Sequence, residues 1–344
     1  MITNSTLLPP ELIRLLNEVG NKLEGGDDPN PLLRNAVNML ASIDPADIAR
    51  ADREIADAAG LYRRYDMSLI SKIYSAVRRE TSLLSRFTDL EYLYIFHRDG
   101  RLREAALRKI EGGLPSPFVF AAVLWRLNDW AEPVRQAAAE CARRCFPATA
   151  AIVVAQAAVE ILVRQKTWRR WRQERAILDD VFGRDDVAAE LADLFARAAT
   201  GPQASTLRYA MRTAALDPYL VALASDAVQP SVRAVAVEAL INGKAEWPSG
   251  TAWRWIDKSM GLRRRETAFD RRDLTVTCRR ESLIARGIRD KSAAVRRVAV
   301  SGIIRHMLDT ADARAWAEPL VSDPSKAVRE RAMFVLRRHG DSDD

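Results

Sequence analysis

The sequence predicts an all-α protein made of stacked antiparallel helix pairs, on the basis of a repeated motif, its spacing and its apolar pattern. In the motif, an Asp is followed five residues later by Val-Arg and then, three residues after the Arg, by Ala; the clearest copy is Asp323–Arg338. The copy that begins at Asp226 has one extra residue in its turn, and the copy that begins at Asp99 has a shortened turn and Leu102 in place of Val. The Arg of successive copies falls at positions 103, 135, 233, 296 and 329. The gaps are therefore close to one, three, two and one units of about 32 residues, a period typical of helical repeat arrays.

Each copy of the motif has the features of a turn followed by a helix. The Asp can accept hydrogen bonds from free backbone N–H groups at the start of a helix, where the helix dipole favours a negative charge. In the last copy, Val328, Ala332 and Val335 lie on one face at helical spacing. One helix cannot bury such a face alone, so we expect neighbouring units to stack into a continuous core.

The motif D-x-x-x-x-V-R-x-x-A, preceded each time by an apolar helix, resembles the second helix of HEAT or HEAT-like repeats. The resemblance covers residues 88–146 and 217–340. It implies a right-handed α-α superhelix, or α-solenoid, in which the Asp of one unit pairs with the Arg of a neighbouring unit. It indicates architecture only, because the family has no common chemistry. The residues that it places in this structural ladder are Asp129, Arg135, Asp226, Arg233, Asp290, Arg296, Asp323 and Arg329.

Residues 1–87 are predicted to form helices that lack the motif. Two of them run over Pro10–Leu23 and Pro31–Ile43, a third starts at Asp44-Pro45, and a fourth runs from Asp66 to about Arg79. These helices form either an atypical cap, which repeat arrays need in order to cover their last exposed face, or a separate domain.

Residues 88–340 are predicted to form the repeat array, with one interruption. A helix is expected around Trp253-Arg-Trp255, and Gly261–Arg272 has little apolar periodicity. We predict an irregular, Arg-rich insertion at about 261–272, in place of a helix. Insertions in repeat arrays often project from a binding face; a solvated, poorly ordered loop is the alternative.

Two Arg-rich segments form the candidate binding surface, this insertion and the sequence W-R-R-W-R-Q-E-R that begins at Trp168. Rings interleaved with guanidinium groups suit stacking on bases and pairing with phosphates, and they also suit a protein interface. The alternative is that Trp168 and Trp171 pack into the core. The predicted contact residues are Trp168, Arg169, Trp171, Arg172, Arg175, Arg263, Arg264, Arg265, Arg271 and Arg272.

The formal net charge of +7 is unevenly distributed along the chain. Residues 1–60 carry five basic and ten acidic side chains, whereas residues 254–297 carry fourteen basic and six acidic ones. A molecule polarised in this way can attract an anionic partner through its C-terminal third. The preference for Arg over Lys would also follow from a GC-rich bacterial genome, without any function.

Several functional classes find no support in the sequence. It contains no apolar run of about 18 residues that would span a bilayer and no signal-peptide pattern, so we expect no membrane association and a cytoplasmic location. Cys141 and Cys145 lie four residues apart on one helix and, with Cys278, are too few for a disulfide framework. We expect the first two to pack in the core, and we predict no cofactor and no metal site.

No phosphate-binding, zinc-binding or nucleophile-elbow motif is present either. The favoured interpretation is a noncatalytic scaffold or adaptor that holds a protein partner in a concave face built from the second helices. The alternative is a nucleic-acid-binding solenoid with an Arg/Trp-rich basic surface. A DNA glycosylase-like activity is a further alternative, because some HEAT-like proteins remove damaged bases. The sequence leaves the partner, the pathway and the oligomeric state open.

Overall fold

The computed structural model describes residues 6–62, 80–164 and 175–340. Over these residues the chain is mostly helical and has one sheet of two antiparallel strands. The chain divides into two units, residues 1–181 and 182–344. No described helix is both long enough and apolar enough to cross a membrane.

The first unit is built from helices whose apolar residues recur at helical spacing, as Leu12, Leu16 and Val19 do in the first of them. Gly100–Lys109 (α5) packs against Glu132–Cys145 (α7), and Pro117–Arg126 (α6) packs against both Ile48–Ala58 (α3) and Ala151–Ile161 (α8). Cys141 and Cys145 are buried on α7 with their Sγ atoms 3.9 Å apart, as the core prediction expected. The helices are α1 (Pro10–Gly25), α2 (Asn30–Leu40), α3 (Ile48–Ala58), a stretch over 80–86, α4 (Leu90–Tyr94), α5 (Gly100–Lys109), α6 (Pro117–Arg126), α7 (Glu132–Cys145) and α8 (Ala151–Ile161).

Helix α9 (Arg175–Phe182) lies at the boundary, and the second unit follows it. In this unit α12 (Leu220–Asp226) packs on α13 (Pro230–Asn242), α14 (Arg280–Gly287) on α15 (Ala293–His306) and α16 (Ala311–Ala317) on α17 (Lys326–Gly340). Helices α13, α15 and α17 lie side by side. Helices α14 and α15 approach so closely that a Cβ on Gly287 would lie 2.8 Å from the Cβ of Ala299. The elements are α10 (Asp185–Arg197), α11 (Gln203–Ala210), α12 (Leu220–Asp226), α13 (Pro230–Asn242), β1 (Lys244–Asp257), β2 (Leu262–Asp273), α14 (Arg280–Gly287), α15 (Ala293–His306), α16 (Ala311–Ala317) and α17 (Lys326–Gly340).

The ion pair between Arg296 and Asp323 shows how one helix pair is joined to the next. Arg296 Nε and Nη2 donate to the two carboxylate oxygens of Asp323 at 2.6 and 2.9 Å. Arg296 Nη1 donates to the carbonyl oxygens of Asp290 and Lys291 in the turn before its own helix. Asp323 Oδ1 also accepts a hydrogen bond from Ser325 N at 2.8 Å. One guanidinium therefore links the turns of two consecutive helix pairs in a bidentate geometry.

The same arrangement recurs in both units. Arg103 makes two hydrogen bonds of 2.9 Å to Asp129, and Arg233 makes bonds of 3.0 and 2.9 Å to Asp290. In each case Nη1 donates to the carbonyl oxygens six and five residues earlier in the chain. Buried Arg126 adds hydrogen bonds to Asp129 and Asp52. The predicted ladder residues that lie in these pairs are Asp129, Arg233, Asp290, Arg296 and Asp323.

Arg135, Asp226 and Arg329 differ from the predicted ladder. Arg135 and Arg329 each donate to two carbonyl oxygens of their own turn, and within the described residues no carboxylate pairs with either. The residues that follow 164 in the chain, up to 174, lie outside the described structure. Asp226 is exposed. Because Arg233 bonds to the carbonyl oxygen six residues before it, Ala227 holds the position that Asp has in the other copies.

His97 takes the place of the ladder Asp in the first copy of the motif. Its Nδ1 accepts a hydrogen bond from Asp99 N, two residues later in the chain, at 2.9 Å. The carboxylate of the ladder residue Asp323 accepts in the same way from Ser325 N. Asp99, by which this copy is recognised in the sequence, instead caps α5 by accepting a hydrogen bond from Arg101 N. Counted back from Arg103, this turn has the same length as the turns that begin at a ladder Asp. Only the residue type at its start differs, because it is His97.

The all-α prediction needs one correction, because Lys244–Asp257 and Leu262–Asp273 form a β-hairpin. The helix predicted around Trp253 and the irregular insertion at 261–272 are both wrong. The outer parts of the two strands are exposed on both faces, so they lack the one-sided apolar pattern by which buried elements are recognised. The turn is closed by Asp257, whose Oδ1 accepts hydrogen bonds from Ser259 and Met260, and by Gly261 at a φ of 67°.

We expect Arg296→Ala to lower the free energy of unfolding by about 3 kcal/mol, because the buried Asp323 carboxylate would lose its counter-charge. Arg329→Ala is the matched control, since it removes hydrogen bonds to two carbonyl oxygens and should cost about 1 kcal/mol. Urea unfolding followed by circular dichroism measures both values. Equal losses would contradict the view that the Arg–Asp pair is the main link between helix pairs.

The pH dependence of stability gives a second test of the same pair. Hydrogen bonds from Arg296 lower the pKa of Asp323, against the opposing effect of burial. A carboxylate whose pKa is lower in the folded state stabilises the fold above its unfolded pKa, about 3.9, and this stability is lost as the pH falls through the folded pKa. The loss caused by Asp323→Asn should therefore be largest at neutral pH and shrink below about pH 4. Asp226→Asn is the control, because this carboxylate is exposed. It should change the free energy of unfolding in urea little, both at neutral pH and below about pH 4.

Candidate functional site: a β-hairpin and a cationic groove

The hairpin follows α13 within the second unit and has two different faces. Lys244 pairs with Asp273 at its base and Asp257 with Leu262 at its tip, with irregularities after Pro248 and after Trp255. Residues directly opposite each other across the ladder share a face, and so do alternate residues along one strand. The register therefore assigns every side chain of the hairpin to one face or the other.

One face combines exposed rings with arginines, and we call it the aromatic–arginine face. On β2 it holds Arg263, Arg265, Phe269 and Arg271 at alternate positions, and on β1 Trp255 and Trp253 lie opposite the first two. Trp253, Trp255 and Phe269 are 58, 50 and 53% exposed, which is unusual for side chains of this size. The face is therefore open along its outer length. Its rings and arginines are Trp253, Trp255, Arg263, Arg265, Phe269 and Arg271, and by the same register it also carries Glu246 opposite Arg271, Pro248 opposite Phe269, and the Thr251–Thr267 pair.

The arginines of this face have no acidic partners within the described residues. The guanidinium of Arg263 lies over the Trp253 ring, 4.6 Å from its centre, and Arg265 donates to Thr251 Oγ1 at 3.1 Å. No carboxylate lies within ion-pair distance of Arg263, Arg265 or Arg271 in the described structure. The positive charge of the face is therefore available to an anionic ligand.

The opposite face carries a carboxylate beside its arginines. Glu266 accepts a hydrogen bond from Arg264 at 2.7 Å and lies 3.7 Å from Arg254, which faces Arg264 across the ladder. The hydrogen bond from Arg264 lowers the pKa of Glu266, so this carboxyl group stays ionised at neutral pH. Arg264, predicted as a contact residue, thus lies on the face away from the rings.

Arg272, predicted as a contact residue, anchors the base of the hairpin instead. It donates two hydrogen bonds to Asp217, at 2.6 and 2.9 Å, and others to the carbonyl oxygens of Met211, Arg212 and Thr213. Burial acts to raise the pKa of Asp217, but hydrogen bonds from Arg272 and Thr275 lower it overall. The Asp217 side chain has no exposed surface. This buried pair fixes the ribbon to the helices beneath it.

A cationic groove of about 500 Å³ lies in the same unit, along α11, α13, α15 and α17. Small residues such as Ala234, Ala294 and Gly302 line it between the charged side chains. Its charged residues are Arg208, Arg297, Arg305, Arg331 and one acid, Glu238, which pairs with Arg208 at 2.6 Å. The groove includes Asn242, two residues before the first strand of the hairpin, so the groove and the hairpin adjoin along the chain.

The structure brings together Arg263, Arg265 and Arg271 of the predicted contact residues. Trp168, Arg169, Trp171 and Arg172 lie outside the described residues, and of Arg175 only the backbone, at the start of α9, is described. The groove arginines were not predicted. A signal for them exists in Arg297 and Arg331, which follow the ladder residues Arg296 and Arg329 by one and two positions and so lie on a different side of the helix.

No protein-family model matches the chain, and no curated protein matches it significantly. The described residues contain no cluster of three or more His, Cys, Asp or Glu side chains arranged to hold a metal ion. The functional interpretation therefore depends on the geometry of the hairpin and the groove.

Arg272→Ala should detach the hairpin base and lower the free energy of unfolding by about 3 to 5 kcal/mol, because the fully buried Asp217 carboxylate loses its counter-charge. Arg271→Ala is the matched control: its side chain is exposed on the aromatic–arginine face, and we expect a change within about 0.5 kcal/mol. Urea unfolding of both variants measures the difference. A small effect of Arg272→Ala would show that the ribbon is held by other contacts.

Proposed function

We propose that this chain is a noncatalytic α-solenoid of HEAT-like repeats that binds nucleic acid through the aromatic–arginine face and the cationic groove. The observation that carries the proposal is the set of three arginines without acidic partners, interleaved with three exposed rings on one face of the hairpin. Guanidinium groups pair with phosphates and rings stack on bases, so this combination suits nucleic acid better than it suits a neutral ligand.

The groove supports the same ligand class. Its four arginines face a single carboxylate, and a channel lined by one sign of charge concentrates ligands of the opposite sign. Its side chains also suit binding more than catalysis. The Ser301 hydroxyl, for example, donates to the carbonyl oxygen of Arg297 and accepts from Arg331 Nε, which leaves it without a general base.

A protein partner is the second candidate, and the tip of the hairpin favours it. Ile256, Met260 and Leu262 are exposed there, and such an apolar tip suits a protein interface more than a polyanion. In that case a stoichiometric complex purified under native conditions should survive nuclease treatment and be lost in Ile256→Ser/Met260→Ser. The free thiols of Cys141, Cys145 and Cys278 fit the cytoplasmic location that we propose for either function.

The salt dependence of binding tests the nucleic-acid proposal. For each phosphate contact that is lost, the slope of log K against log salt should become shallower by about 0.7 to 0.9. Arg263→Ala/Arg265→Ala should therefore weaken binding and reduce the slope by about 1.5. Arg254→Ala/Arg264→Ala is the matched control, because it removes the same charge from the opposite face, where both arginines lie close to Glu266. It should change the slope less than Arg263→Ala/Arg265→Ala does.

Fluorescence anisotropy of a labelled oligonucleotide, measured over a range of salt concentrations, gives these slopes. Undetectable binding at about 50 mM salt, where electrostatic association is strong, would overturn the proposal. Equal effects of the two double variants would show that charge alone, and not the aromatic–arginine face, holds the ligand.

A further inference from the structure

The spacing of the rings on the aromatic–arginine face distinguishes between kinds of nucleic acid. Trp253 and Trp255 are alternate residues of β1 and lie on one face. Two residues of an extended strand span about 6.6 Å. In a duplex, successive bases of one strand are only about 3.4 Å apart and cover each other's faces. The two indoles are thus attached about twice as far apart as stacked bases, and each is at least half exposed and can receive one separate base.

The arginines are placed to hold the backbone of such bases. Arg263 lies directly opposite Trp255, and Arg265 lies directly opposite Trp253. Side chains opposite each other in an antiparallel pair have Cβ atoms about 4.5 to 5.5 Å apart. A base stacked on either ring would thus bring its phosphate within reach of a guanidinium. The cation–π contact between Arg263 and Trp253 shows that these side chains already meet.

The third ring extends the same row towards the base of the hairpin. Phe269 shares the face with the two indoles, and the Thr251–Thr267 pair lies between them. Threonine hydroxyls can donate to and accept from base edges, whereas the edges of duplex bases can be reached only through a groove. The row therefore offers two neighbouring stacking positions, then a pair of hydrogen-bonding groups, then a third stacking position for one strand of ligand.

We propose that the aromatic–arginine face binds single-stranded nucleic acid, with unpaired bases stacked on Trp253, Trp255 and Phe269 and phosphates paired with Arg263, Arg265 and Arg271. The inference rests on the proposed function, and it specifies which form of nucleic acid that function recognises. Duplex binding, in which the ribbon would enter the major groove, is the competing outcome.

The test compares one oligonucleotide of mixed sequence without self-complementarity, about 20 nucleotides long, alone and annealed to its complement. The wild type should bind the single strand at least tenfold more tightly than the duplex at about 100 mM salt. Trp253→Ala/Trp255→Ala should lose at least about tenfold in affinity for the single strand, because each stacked base contributes at least severalfold. Its affinity for the duplex should change less than about twofold. Both indoles are exposed, so circular dichroism should show an unchanged fold.

Trp253→Phe/Trp255→Phe provides the matched control. It keeps a ring at each position, so most of the affinity for the single strand should return. The quenching of tryptophan fluorescence on binding should nevertheless fall well below that of the wild type, because the stacked indoles are gone. A merely structural role for the two residues would not separate affinity from quenching in this way.

Each other outcome has a defined meaning. Tighter binding of the duplex, or equal losses for both ligands in the alanine variant, would overturn the single-strand inference and leave nucleic-acid binding in place. If neither form binds, both proposals fail together.

Discussion

The ion pair between an Arg and the Asp of the next helix pair is the interaction on which the structure depends. Each guanidinium uses two N–H groups on a carboxylate and a third nitrogen on carbonyl oxygens of its own turn. The buried charge is therefore compensated on all sides, which is the condition under which a buried ion pair can be kept at all. The ion pair links the turns of neighbouring helix pairs, whereas the apolar faces of the helices pack against each other. The ion pair therefore fixes the position of one helix pair relative to the next.

This linkage explains how a hairpin can be inserted without interrupting the stack. Arg233 and Asp290 are 57 residues apart in the chain, yet they make the same bidentate contact as Arg296 and Asp323, which are 27 apart. Helix α13 still lies against α15, so the hairpin leaves and returns without separating them. Its base is held by a separate buried pair, Arg272 and Asp217. The stack supplies a rigid base, and the inserted segment supplies the exposed chemistry.

The sequence predicts those features of the structure that leave a local pattern in it. The helix pairs were predictable, because apolar spacing and a repeated motif are local patterns, whereas the pairing of Arg296 with Asp323 was expected from the resemblance to HEAT-like repeats. The substitution of His97 for Asp was not, since it appears only when the turn is counted backwards from Arg103. The hairpin was missed because alternation of Trp and Arg with no buried face resembles neither a core strand nor an amphipathic helix. Arg272 differs from Arg271 only by the face of the strand, which one residue of register decides.

The energetics of the hairpin also indicate a ligand. An isolated two-stranded ribbon is marginally stable in water, and no residue in the outer part of this hairpin is fully buried. Across the strands, Arg254 lies 3.7 Å from Glu266 on one face, and the Arg263 guanidinium lies over the Trp253 ring on the other. The large exposed surfaces of Trp253, Trp255 and Phe269 contribute little to that stability, and exposed rings of this size favour association. Binding would remove this apolar surface from water and neutralise the three arginines in one step, so a ligand that is both aromatic and anionic fits the face best.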